Sequence, residues 1–340
     1  MQNKKSNGFD ARTEKHVDMI KAGIIGGSGY TGGELIRILI NHPQVEIDFV
    51  YSTTRAEKPV TDAHEDLLGA TDLKFTGTIN PKVDVLFLCL GHGNSKAFLD
   101  THTFSDNTKV IDLSNDFRLK NDATYNGRKF VYGLPELQKE AIKNANNIAN
   151  PGCFATAIQL ALLPLAKNNL LTEDIHINAV TGSTGAGVSP SATSHFSWRN
   201  NNISWYKPFT HQHLGEINQS IVSLQDNQPN IFMLPQRGNF TKGIFVTSYL
   251  KFENSLEETW NLYEDFYVID PFTHLSEKEV HLKQVINTNN CFIHLHKHED
   301  VLLITSVIDN LIKGASGQAV QNMNLLFGFN ESDGLNLKGS

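Results

Sequence analysis

Cysteine is scarce: the 340-residue chain has three, widely spaced and odd in number. That excludes a disulfide scaffold and fits a protein of the reducing cytoplasm. Basic charge is not in excess either, since 29 Lys and Arg against 36 Asp and Glu leave a net charge of −7. With no basic tract to neutralise phosphates, nucleic acid is not expected as a partner. Long apolar runs are missing as well. The longest, Val83 to Leu90, is interrupted by Asp84 and falls far short of the ~20 residues that span a bilayer, so no membrane partner is expected. There is no internal repeat and no low-complexity tract.

What remains has the make-up of a folded protein, with 40% apolar and 19% charged residues. At about 150 residues per domain, the length implies two domains. Met1 to Asp18 is polar and has no apolar core of the kind that drives secretion. Residues 1–18 read as a disordered leader or a remnant of expression, with Met19 as a candidate start. Residues 331–340 read as a polar tail.

Between these ends, strands alternate with helical stretches. Lys21 to Gly26, Val45 to Tyr51, Val83 to Leu90 and Val110 to Leu113 read as buried strands, and Leu35, Ile38 and Leu39 mark a helix face. Strands separated by helices imply a parallel sheet with right-handed crossovers. After about residue 150 the rhythm changes. Ile175 to Val180, Gly243 to Phe252, Glu279 to Thr288, Cys291 to His296 and Val301 to Asp309 read as longer strands of a mixed or antiparallel sheet. A last helix is expected from about Ser316 to Phe327. The fold class is therefore α/β: a Rossmann-type doubly wound parallel sheet plus an α+β catalytic domain with a mixed or antiparallel sheet.

His294, His296 and His298 fall at period two on one strand face. They could hold a metal, or form a solvent-facing edge with Ile293 and Leu295 packed inward. No fourth ligand is evident and Glu299-Asp300 reads as a turn, so no metal is expected.

Two local patterns carry chemistry. Gly27-Ser28-Gly29-Tyr30-Thr31-Gly32 is a GxGxxG between a strand and a helix. Its glycines allow close backbone approach to a pyrophosphate, whose charge the helix N-terminus stabilises. The second strand ends Tyr51-Ser52-Thr53-Thr54-Arg55, without the carboxylate that accepts from the ribose of NAD. Ser52 and Arg55 suit a 2′-phosphate instead, which points to NADP (NADPH). In Asn150-Pro151-Gly152-Cys153, a turn sets Cys153 at a helix N-terminus, where the dipole is expected to lower the thiol pKa. Cys89 and Cys291 fall within strands and read as core residues.

A wider set of motifs resembles the N-acetyl-gamma-glutamyl-phosphate reductases, of the aspartate-semialdehyde dehydrogenase superfamily. The glycine turn, Asp112-Leu113-Ser114-Asn115-Asp116-Phe117-Arg118, Tyr132-Gly133-Leu134-Pro135-Glu136 and Asn150 to Cys153 occur in that order and spacing. So do Gly185-Ala186-Gly187, His211-Gln212-His213-Leu214-Gly215-Glu216 and Gly314 to Asn322.

The resemblance implies reduction of an acyl phosphate to a semialdehyde by NADPH, with inorganic phosphate released. Cys153 would form a thioester. His213 or His211 would move the protons, with Glu216 orienting His213. Arg118 would clamp a substrate carboxylate or phosphate. Ser183, Gly185 and Gly187 would belong to an anion nest. Asn322 and its helix would lie against the nicotinamide. The resulting partition is 19–152 with 314–330 for NADP and 153–313 for catalysis and dimerisation, in a homodimer or homotetramer. Gln212, Gly215 and a long turn from Leu234 to Gly243 depart from the family pattern near the presumed substrate pocket. An aspartate-semialdehyde dehydrogenase and a non-catalytic NADP-binding regulator remain as alternatives.

Overall fold

The computed structural model describes residues 19–339; the expected leader, Met1 to Asp18, lies outside the described residues. The first part of the chain contains β1 (Ile20–Ile25), α1 (Tyr30–Leu39), β2 (Val45–Tyr51), β3 (Phe75–Thr76), β4 (Val85–Leu88), α2 (Asn94–Thr101) and β5 (Lys109–Asp112). There follow β6 (Thr124–Tyr125), β7 (Arg128–Tyr132), α3 (Pro135–Lys143), β8 (Asn147–Ala149) and α4 (Cys153–Lys167). The middle holds β9 (Ile175–Thr181), α5 (Phe196–Arg199), β10 (Ser204–Trp205), α6 (His213–Val222), β11 (Ile231–Arg237) and β12 (Ile244–Lys251). The last elements are α7 (Leu256–Tyr267), β13 (Thr273–Leu275), β14 (Cys291–His298), β15 (Val301–Ile308) and α8 (Gly317–Phe327).

Two sheets result. The first has eight strands in the order β3-β2-β1-β4-β5-β8-β7-β6, parallel throughout except for the short β6–β7 pair. Its central strand β4 is apolar and buried on both faces, as the middle of a sheet covered on both sides requires. The second has seven strands in the order β10-β11-β9-β12-β15-β14-β13 and is mixed. Here burial alternates: in β12, Ile244, Val246, Ser248 and Leu250 point inward while Tyr249 and Lys251 are exposed. That strand shows the period-two signature of a sheet packed on one face. The α4 helix packs against the inner face, and residues 154 to 166 of it are all buried.

The chain returns to the first sheet at its end. Val320, Met323, Leu326 and Leu335 share a core with Ala22, Ile24 and Leu35, and Ser316 Oγ donates to Thr31 O at 2.8 Å. The α8 helix is sealed from solvent over most of its length.

Several expectations need correcting. Glu279 to Thr288 is not a strand. Val280 and Val285 pack against Val307, but a 3₁₀ turn at Leu282–Gln284 and the left-handed Asn287 (φ +64°) break the extension. The turn read from Leu234 to Gly243 begins as strand, since β11 runs through Pro235 to Arg237 and pairs with β9. Leu335 lies 2% exposed inside the first core, so the last ten residues are not merely a polar tail. Cys89 follows β4 instead of lying within it and is half-buried. In β14, Ile293 and Leu295 are buried, and His294 Nδ1 bonds Ser276 O at 2.9 Å. Among the described residues no group of His, Cys, Asp or Glu is placed to hold a metal ion, and no helix is long and apolar enough to cross a membrane.

Candidate active site

Four elements converge on Cys153. It is the first residue of α4, directly after β8 and the Asn150-Pro151-Gly152 turn, with Gly152 as the extended N-cap. Gly314, from a π-turn at Ile312–Ser316, lies so close that a Cβ there would sit 2.8 Å from Cys153 Cβ. On the other side is His213, the first residue of α6. A Cβ on Gly152 would fall 2.3 Å from His213 Nε2, so only glycine lets this ring approach the turn that carries the thiol.

Glu216, one turn further along α6, ties the cluster together. Its Oε2 accepts from Gly152 N at 2.9 Å and from the Tyr132 hydroxyl at 2.8 Å. Its Oε1 accepts from Arg118 Nη1 at 3.0 Å and lies 4.0 Å from His213 Nε2. Arg118 also donates to Asn150 O and Leu113 O. The carboxylate therefore fixes the backbone next to the nucleophile and lies near the imidazole without a hydrogen bond to it.

His211 stands edge-on to His213, with ring centroids 4.6 Å apart, and to Phe154 and Tyr206. Its Nδ1 accepts from His213 N at 3.2 Å. Burial, then Lys207 and His92, pulls His211 down to about 4. Burial, then the Arg118 charge, holds His213 well below the usual imidazole range. Both rings are thus neutral near pH 7 and able to take a proton.

The sequence led us to expect a lowered thiol pKa, and the opposite holds. Burial pushes Cys153 up to about 11; Arg118 and the Phe154 N–H oppose it without prevailing. The thiol keeps its proton until a base removes it. Cys89 and Cys291 are raised further, to about 12, again by burial.

The glycine turn forms a second site. Gly26 is left-handed (φ +78°), and a Cβ on Gly32 would press on Gly27 Cα at 2.6 Å and Gly26 O at 2.7 Å. Gly29 is the N-cap of α1, with no side-chain cap and no acidic residue in the first turn. A Cβ there would meet only Gly26 O, at 3.7 Å. An uncapped, dipole-positive N-terminus thus opens on free space, as a dinucleotide pyrophosphate requires. His64 Nε2 bonds Gly27 O at 2.7 Å and fixes the turn. At the end of β2, Ser52 is buried, and among the described residues the Arg55 guanidinium is tethered only by a 3.3 Å bond to Asp62 O.

The chain is similar to known proteins over nearly its whole length. Residues 21–145 match the family model "Semialdehyde dehydrogenase, NAD binding domain", and residues 153–310 match "Semialdehyde dehydrogenase, dimerisation domain". The N-acetyl-gamma-glutamyl-phosphate reductase of Flavobacterium johnsoniae is 61% identical over 323 residues, covering 95% of this chain and 99% of the relative. That of Bacteroides thetaiotaomicron is 56% identical over 324 residues, with coverage of 95% and 99%. The chain belongs to the N-acetyl-gamma-glutamyl-phosphate reductase family. Solved structures share the fold. Aspartate semialdehyde dehydrogenase II of Vibrio cholerae superposes with a TM-score of 0.69 at 16% identity, over 92% of this chain and 99% of that one. The Candida albicans enzyme, solved with NADP, gives 0.65 at 14% identity, over 91% and 99%.

Within this reductase fold some expected site residues occupy other surroundings. Arg118 was expected to face the substrate; its three bonds hold it inside, beneath Glu216. The nest expected at Ser183, Gly185 and Gly187 is closed. The N–H groups of Ser183, Thr184, Gly185 and Gly187 already donate to backbone carbonyls. Asn322 is fully buried and donates to Gly133 O and Asn150 Oδ1, behind the cysteine turn. Tyr132, Gln159 and Asn150 were not singled out, although Tyr132 opens one of the recognised motifs. Arg199, Tyr206 and Arg237 also escaped notice as site residues. Their relation to the site exists only through the folding of the second sheet.

Proposed function

We infer that this chain reduces N-acetyl-gamma-glutamyl phosphate to N-acetyl-glutamate 5-semialdehyde and phosphate, the arginine-biosynthetic step, with NADPH as cofactor. One observation supports the chemistry most: a thiol at a helix N-terminus, on a glycine turn against which a buried imidazole packs.

His213 takes the Cys153 proton as Sγ attacks the acyl carbon. The carbon–oxygen bond to phosphate breaks and phosphate leaves, giving a thioester on Cys153. The uncapped α1 N-terminus with Gly27 to Gly32 would hold the pyrophosphate, and Ser52 and Arg55 the 2′-phosphate. When bound there, NADPH supplies the hydride that reduces the thioester. His213, now protonated, gives its proton to the developing oxyanion. It takes a proton back as the resulting thiohemiacetal releases the aldehyde, and Cys153 Sγ recovers it. Glu216 holds Gly152 in place through these steps and, 4.0 Å from His213, favours the ring when it is protonated.

We also propose a homo-oligomer, with the cytoplasm as its location. The open face of the second sheet supports a second copy there: His176 stacks between Phe232 and Tyr249, at 5.3 and 5.2 Å, and all three point outward. Light scattering on the purified chain tests this.

The activity is tested in reverse, by NADP reduction with N-acetyl-glutamate 5-semialdehyde and phosphate, against aspartate semialdehyde under the same conditions. Turnover only with the acetylated compound supports the reading. A preference for aspartate semialdehyde replaces it with the shorter-substrate enzyme, and no turnover with either leaves a regulator.

A further inference from the structure

Arg199 and Arg237 lie together at one end of the second sheet, and neither forms an ion pair among the described residues. Arg199 closes α5 and is 6% exposed. Its Nη2 donates weakly to Asn202 O and Ser204 Oγ, each at 3.3 Å, while Nε and Nη1 are buried without an acceptor. Arg237 closes β11 directly opposite Ser204 of β10, so both guanidiniums reach the same place. Its Nε is also buried without an acceptor.

Aromatic rings connect this place with the catalytic cluster. The Arg237 guanidinium lies over the Tyr206 ring at 4.8 Å. Tyr206 meets His211 edge-on at 5.8 Å, and His211 meets His213 at 4.6 Å. Tyr206 and Cys153 are both half-buried against the same second core.

Two like charges side by side, with buried N–H groups unsatisfied, are costly unless an anion completes them. Arg118 does not serve the substrate's anions, since Glu216 and two carbonyls already occupy it. The reaction nevertheless brings two oxyanions to the site, the carboxylate of the semialdehyde and the phosphate.

We infer that Arg199 and Arg237 form the oxyanion subsite of the substrate pocket, reading one of these two groups through their free N–H donors. The inference rests on the reductase reading above.

The reverse reaction separates the two sources, because aldehyde and phosphate are independent substrates. Arg199→Gln and Arg237→Gln should each raise one KM by about 10- to 100-fold, the loss of a charged hydrogen bond. The KM for NADP should stay at its wild-type value. A rise for the aldehyde assigns the carboxylate; a rise for phosphate assigns the phosphate. Arg199→Lys and Arg237→Lys keep the charge without the fork, so they should give smaller rises in the same KM. They serve the test if the Gln variants do not fold. Folded variants with wild-type KM values for both substrates would overturn the inference. A wild-type enzyme inactive with semialdehyde, NADP and phosphate would instead overturn the reading beneath it.

Discussion

Arg118 and Glu216, 98 residues apart in sequence, meet inside the protein as an ion pair at 3.0 Å, with side chains 5% and 3% exposed. The pair joins the end of the first sheet to α6, and the same carboxylate holds Gly152 beside the nucleophile. Its meaning is mainly positional, since a buried pair contributes little net stability but leaves an uncompensated charge when split.

Glu216→Ala should therefore cost about 3–5 kcal/mol of stability, the usual penalty for orphaning a buried charge. Denaturant unfolding measures it. A loss below about 1 kcal/mol would show that Arg118 finds another partner or water.

Gly152→Ala isolates the packing of His213 on the cysteine turn. The backbone there (φ −71°, ψ 150°) suits any residue, so strain is not introduced. The new methyl would meet His213 Nε2 at 2.3 Å and push the ring aside. Turnover should fall by up to ~10²-fold, as misplacement of a reacting group by about 1 Å does. NADPH affinity, read by fluorescence titration, should not change. Wild-type turnover would mean that His213 has room to give.

His213→Asn should lower turnover by ~10²–10⁴, the contribution of positioned proton transfer. Its pH profile carries a sign. A base works deprotonated, so activity falls as pH drops below its pKa. Burial and Arg118 set that pKa well below 6.5. The wild-type acid limb should thus lie below the ordinary imidazole range and vanish in the variant. His211→Asn should be milder and act mostly on KM. If both variants turn over normally, the proton is moved by another group.

Much of this arrangement was legible in advance. The bounds of β2 emerge from the sequence because Val45 to Tyr51 is framed by polar turns, and the glycine turn announces itself by its flanking elements. Pro235 and Gln236 disguised β11, because proline rarely enters a paired strand. Apolar spacing at Val280, Leu282 and Val285 imitated a strand where Asn287 in fact turns the chain. The direction of the Cys153 shift was misjudged for a physical reason. A helix N-terminus is visible in sequence, whereas the burial that outweighs it comes from packing with distant parts of the chain, Gly314 among them. The Arg118–Glu216 pair and the Arg199–Arg237 pair have no local signal at all.

Arg55→Ala tests the cofactor site. Tethered among the described residues only at Asp62 O, the guanidinium can turn to meet a 2′-phosphate. The variant should bind NADPH more weakly and leave NADH binding unchanged. Equal losses for both would show that Arg55 does not read the phosphate.

The account stands or falls on the Cys153 thiol, and one measurement addresses it directly: phosphate-dependent NADP reduction by N-acetyl-glutamate 5-semialdehyde, with wild type and Cys153→Ser side by side. The serine hydroxyl is a far weaker nucleophile at its free pKa. The account predicts rapid reduction by the wild type and none above background by the variant, with folding and NADP binding intact. Turnover by Cys153→Ser at the wild-type rate would contradict the covalent mechanism.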